Sequence, residues 1–219
     1  MTRRTNARLA GFMFLFYIAN GITLMVLQGR IMGGGGIAAK LAGIVQHEQL
    51  MRFASLLELL TCFDALLLAA ALYALTRDYD QDLALIALLC RVVEGVNNSA
   101  GAVSVLRLVS IAKQAMTAAG PDAAAATALA APILDPQTVS LSGIMFAAGS
   151  TIYCYLFLRA RTIPVPLAWL GVLASLLLIV GLPLETLVVI KGQAGWFLWM
   201  PMLVFEVTFG LWLLIKGTK

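Results

Sequence analysis

Phe53–Thr76 reads FASLLELLTCFDALLLAAALYALT, an almost unbroken apolar run in which only Glu58 and Asp64 are ionisable. A helix of about 20 mostly apolar residues rises far enough to cross the hydrocarbon core of a bilayer, roughly 30 Å thick. The run lacks the period-two alternation of a barrel strand. In lipid a helix then satisfies every backbone N–H and C=O. Five more stretches share this character: Leu9–Gly29, Leu83–Ile111, Thr138–Leu158, Pro166–Ile190 and Phe197–Ile215. The expected fold is all-α, a six-transmembrane-helix bundle forming a single integral membrane domain over residues 1–219.

Composition agrees. The chain is 61% hydrophobic and 12% charged, with a mean hydropathy of +0.94. A soluble domain carries about 25% charged residues, so lipid is the expected solvent. The net charge of +4 does not make nucleic acid a partner, because in such a chain the placement of Lys and Arg matters more than their sum. Cys62, Cys90 and Cys154 all fall inside apolar spans and read as small core residues, not a disulfide framework.

Arg3, Arg4, Arg8, Arg77, Arg159, Arg161, Lys216 and Lys219 flank the spans on one side. Arg30, Lys40, Arg52, Lys113 and Lys191 are spread over longer loops on the other. The positive-inside rule then places the N and C termini in the cytoplasm. The basic start followed by an apolar run resembles a signal peptide. Its apolar part is too long, however, and no small-x-small site follows, so it is expected to remain as a helix.

Between the first two spans, Gly33–Gly36 reads as a hinge. Ile37, Leu41, Ile44, Val45 and Met51 then line one face at helical spacing, an amphipathic outer segment feeding the second span. His47-Glu48 lacks the second histidine of a zincin, Met51 standing in its place, and no metal is expected. Gln114–Pro136 is an alanine-rich outer loop with a helix start at Pro121 and Asp122 and a stop at Pro132. Pro164 and Pro166 break the chain between spans four and five, while Pro183 and Pro201 are expected to kink the helices that hold them.

Asp64, Arg91, Glu94 and Glu206 lie near the middle of their spans. A charge there costs roughly 2.5–3.5 kcal/mol on insertion scales, so it calls for a partner, a proton or a cavity. From the helical rise, Asn20, Asp64 and Glu94 lie about 16 Å into their spans, Glu206 about 14 Å and Arg91 about 12 Å. Arg91, Glu94 and Asn98 share a helix face, and Asn97 lies on an adjoining small, polar stripe. These seven residues form the candidate polar cavity. Three carboxyls against one permanently charged guanidinium leave a surplus of negative charge, to be met by protons or by a cation. Glu58, Arg107 and Glu185 form a shallower outer layer, read as mainly structural. Polar groups of either layer can also serve packing alone, each contact giving roughly 0.6 kcal/mol.

Several chemistries are disfavoured. With His47 the only histidine, bis-histidine haem, ceramidase-like metal hydrolysis and a rhomboid-like serine protease lack their groups, and Gly149-Ser150 has no base. Asp64 lacks the Gly-x-Gly-Asp context of an aspartyl protease, no phosphate-binding glycine loop opens a helix, and no mid-span lysine could carry retinal. No catalytic residue and no cofactor are assigned.

LALIALLCRVVEG (Leu83–Gly95), YLFLRARTIPVPLAWLG (Tyr155–Gly171) and FEVTFGLWLLIKG (Phe205–Gly217), with the basic start RRTNARLAGFMFLFYI, resemble the prokaryotic membrane family called domain of unknown function 4386. The likeness covers nearly the whole chain, with Arg91, Glu94, Arg159, Pro164 and Glu206 among the matching positions. It implies a six-helix multi-pass protein of the prokaryotic cell membrane with no assigned activity. The function expected is binding or transport of a small solute, ion or proton through the polar cavity. The alternatives are an intramembrane enzyme using a carboxyl on a lipid-like substrate, or a structural or regulatory subunit. Expected partners are the bilayer, the solute and further copies of the chain.

Overall fold

The computed structural model describes residues 2–134, 141–187 and 193–218. Among them are eight helices and no strand: α1 (Arg3–Met32), α2 (Ile37–Gln46), α3 (Glu48–Thr76), α4 (Gln81–Thr117), α5 (Pro121–Leu134), α6 (Leu141–Ala160), α7 (Val165–Thr186) and α8 (Gln193–Ile215). Six of them, α1, α3, α4, α6, α7 and α8, are long and apolar enough to cross a membrane. Large apolar side chains such as Phe63 and Leu173 stand at least 60% exposed on these helices, as suits a lipid-facing surface.

The helices overrun the apolar spans. α4 covers 37 residues, about 55 Å at the helical rise, and takes in the Gln114–Thr117 start of the expected outer loop. The start of the fourth span, at 138–140, and the end of the fifth, at 188–190, lie outside the described residues. Pro132 does not stop α5, which continues to Leu134. Its missing N–H forfeits the one bond that would go to the Ala128 carbonyl, and the helix carries on past it. Pro183 and Pro201 both lie within helices. Pro164 caps α7 and Pro166 occupies its first turn, where a proline forfeits no helical bond.

The chain forms two compact units. The first holds residues 1–18, 62–97 and 139–219; the second holds 19–61 and 98–138. In the first unit Phe209 meets the rings of Phe14, Phe157 and Phe205 at 5.2–5.4 Å, among buried residues of α1, α3, α6, α7 and α8. Backbones come close where glycine allows it. A Cβ on Gly11 of α1 would stand 2.6 Å from the Gly210 carbonyl oxygen of α8. A Cβ on Gly171 of α7 would meet Cys154 and Phe205 at 2.5–2.6 Å. Small residues at such crossings are a regular device of membrane helices.

The second unit packs Leu41, Ile44 and Met51 against Leu108, Val109 and Ala112. Of the expected apolar face of α2, Leu41 and Ile44 are buried, Val45 packs beside them and Ile37 is exposed. The helix breaks at His47, whose N–H bonds back to Gly43. The glycine run before it turns through positive φ at Gly34 and Gly35, backbone that a side chain would strain. Glu48 is held by Arg52 and Lys113 at 2.7–2.8 Å.

Candidate functional site

Arg91 sits nearly three turns into α4 and is 1% exposed. Glu94, one turn on, shares its face, and Nη1 lies 2.8 Å from Glu94 Oε2. The contact is Coulombic and lies off the N–H direction: no guanidinium N–H meets hydrogen-bond geometry with any acceptor among the described residues. The aromatic neighbours compensate in part. The guanidinium carbon lies 4.8 Å from the Phe146 ring centre and 5.9 Å from that of Tyr17, within reach of the attraction between a cation and a π-face.

Gly149 of α6 makes room for this arrangement. A Cβ there would crowd the Ala87 carbonyl oxygen at 3.1 Å and Arg91 Cγ at 3.2 Å. Tyr17 of α1 donates its hydroxyl proton to Glu94 Oε1 at 2.8 Å, so the two oxygens of Glu94 face different partners. Arg91's charge also acts on Asp64 of α3 and on Glu206 of α8, and Glu94 repels Glu206. Asp64 is 2% exposed and Glu206 8%. Neither Oδ1 nor Oδ2 of Asp64 has a hydrogen-bond partner among the described residues. One fixed cation thus stands among three carboxyls brought by three helices, and only Glu94 is in ionic contact with it.

A family model described as Domain of unknown function (DUF4386) matches residues 9–217, nearly the whole chain. The chain belongs to this family. No curated protein and no solved structure matches it.

In this DUF4386 protein, Asp64, Arg91, Glu94 and Glu206 all belong to the first compact unit. Asn97 is there too, but its amide donates to the Val93 carbonyl of its own helix at 3.0 Å. Asn20 and Asn98 belong to the second unit. Asn20 is buried and donates to Leu57 O at 2.9 Å and Thr61 Oγ1 at 2.6 Å, a clip between α1 and α3. Glu58 is half-buried and its carboxylate lies beside Gly101. Arg107 is exposed, as is Glu185, whose carboxylate lies against Gly195. Among the described residues no cluster of His, Cys, Asp and Glu could hold a metal ion, and the three cysteines are free.

Sequence reasoning passed over Tyr17, Phe146 and Gly149. An aromatic or a glycine on an apolar helix reads as packing. The one available signal was the i, i+3 relation of Tyr17 to Asn20. Replacing Tyr17 with phenylalanine is expected to cost about 1.5–3 kcal/mol, the range for a hydrogen bond to a charged group. Unfolding of the detergent-solubilised variant by denaturant would measure it, and an unchanged midpoint would show that Glu94 does not depend on that hydroxyl.

Proposed function

We propose that this DUF4386 protein is a multi-pass membrane protein with both termini cytoplasmic, and that the Arg91 cluster is a proton-accepting site that binds or moves a small solute. That both termini lie on one side draws support from bonds within the first unit that tie these segments together, and the cytoplasmic side rests on the distribution of Lys and Arg. Arg3 donates to Tyr79 at 2.6 Å and to Thr218 at 3.1 Å, and Arg159 pairs with Asp80 at 3.2 Å.

The observation that carries the functional reading is the imbalance around one buried guanidinium. Three carboxyls lie in its field, and one is in contact with it. If all were ionised, the surplus negative charge would stand in a medium of low dielectric, where like charges repel strongly. Protons held within the cluster of carboxyls remove the surplus. A solute carboxylate that drew Arg91 away would free Glu94 to take a proton, which links solute to proton by simple charge conservation. The packing role requires no such surplus, since one carboxylate suffices to neutralise one arginine.

The test uses the whole protein in liposomes loaded with a pH-sensitive dye and challenged with a panel of amino acids, organic acids and amines. Wild-type protein is expected to give a solute-dependent pH change, and Glu94→Gln to abolish it while retaining a wild-type elution profile. Infrared pH-difference spectra should show protonated-carboxyl bands that vanish in Asp64→Asn and Glu206→Gln. Absence of those bands, or a full pH response in Glu94→Gln, would sink the reading. A lipid consumed by the wild type alone would instead mark an enzyme.

A further inference from the structure

We propose that the turn between α6 and α7 is a docking site for the headgroup of an anionic phospholipid, with Arg161 as its anchoring charge. The turn ends α6 in a Schellman closure. Thr162 N–H bonds back to the Phe157 carbonyl at 3.4 Å, and Arg161 N–H to that of Leu158 at 3.2 Å. Arg161 thereby takes φ 51°, the one positive φ outside glycine among the described residues. Glycine is the usual occupant of that position, because a Cβ there crowds the carbonyl that follows. The backbone would be better served by glycine. What arginine adds is its side chain, and that is exposed.

The surroundings are cationic and belong to the ends of the spans. The eight basic residues that flank the spans at this end stand against three aspartates, Asp78, Asp80 and Asp82. Two of those acids are engaged: Asp80 pairs with Arg159 at 3.2 Å and Asp78 lies 3.8 Å from Arg77. Together with the bonds of Arg3 to Tyr79 and Thr218, the Asp80 pair draws the ends of α1, α3, α6 and α8 into one positively charged rim. Thr162 and Ile163 are buried and Pro164 caps α7, so Arg161 is presented from a fixed point. Trp169 stands exposed in the second turn of α7, where an indole suits the membrane–water interface.

Charge and geometry select the occupant. A guanidinium matches phosphate oxygens in a bidentate pair, and a basic cluster at the ends of membrane helices suits acidic headgroups. A choline lipid brings its own cation and gains little from a positive rim. Free phosphate supplies the same anion but no acyl chain, whereas Val165 and Trp169 stand exposed beside the turn and a lipid covers them. Basic span ends also orient a chain in the membrane. Orientation needs no particular backbone, however, and an arginine one residue away would serve it without the positive φ. The site is independent of the Arg91 cluster and of the leaflet that holds the turn.

The experiment is native mass spectrometry of the full chain released from dodecyl maltoside. It is titrated with palmitoyl-oleoyl phosphatidylglycerol and, separately, with the phosphatidylcholine of the same chains. Saturable retention of phosphatidylglycerol, about fivefold tighter than of phosphatidylcholine, is expected. Arg161→Gln and Arg161→Gly should each weaken it about fivefold. Arg30→Gln, which removes an exposed charge from the last turn of α1, should not. Arg161→Gly should also raise the thermal midpoint by about 2 °C, because it relieves the positive φ, so its loss of lipid would not reflect misfolding. Equal retention of the two lipids, wild-type affinity in either Arg161 variant, or a matching loss in Arg30→Gln would overturn the proposal. A lower midpoint in Arg161→Gly would overturn it as well, by showing that the arginine serves the fold. Displacement by glycerol phosphate at the lipid's own concentration would replace it with a free-phosphate site.

Discussion

Glu94→Leu is expected to destabilise the protein by about 3–5 kcal/mol, because it leaves the Arg91 guanidinium buried without its anion. Arg91 is 1% exposed and makes its ion pair with Glu94 at 2.8 Å. A guanidinium cannot escape by losing its proton. Removing both charges together, as Arg91→Met with Glu94→Leu, should recover most of that loss, since a well-packed apolar pair often equals or exceeds a buried ion pair in stability. The measurement is a double-mutant cycle from unfolding in mixed micelles. If the single variant loses less than about 1 kcal/mol, Asp64 or Glu206 has moved in as the new anion. Adding Asp64→Asn to Glu94→Leu would then restore the large effect. The double variant also separates stability from function: it should fold well and be silent in the liposome assay.

Gly11→Ala should cost about 1–3 kcal/mol through overpacking, a large effect for one methyl group. The new Cβ would meet the Gly210 carbonyl oxygen at 2.6 Å and the Leu214 backbone nitrogen at 2.8 Å. Backbone atoms cannot swing aside as a side chain does, so α1 and α8 must separate. Gly21 lies on the same helix with nothing within 4 Å of its built Cβ. There the same substitution should be neutral or stabilise by about 0.5–1 kcal/mol, the ordinary gain of alanine over glycine in a helix. Thermal denaturation of the two variants side by side tests the contrast. Equal midpoints would show that the α1–α8 crossing is looser than its geometry.

Some of this was legible before any coordinates. Arg91 and Glu94 stand one turn apart on a predicted helix, and their pairing follows from spacing alone. The break between spans four and five follows from Pro164 and Pro166. Pro132 reads as a stop, yet α5 runs past it to Leu134, one forfeited N–H bond being too little to end the helix there. Asn20 was grouped with the acids by its depth. Its amide is instead spent on Leu57 and Thr61, partners that depth cannot reveal.

Taken alone, the sequence determined how many helices are apolar and long enough for a membrane, and which of them carry charge. Those are local properties, since crossing lipid demands contiguous apolar length and buries no choice of neighbour. Only the tertiary structure decided what surrounds the guanidinium. Tyr17 reaches Glu94 across 77 positions of chain, Phe146 lies against Arg91, and Asp64 is within its field but bonded to nothing among the described residues. Such meetings depend on where the backbones come close, and glycines such as Gly149 permit that approach only when a particular partner helix is already in place.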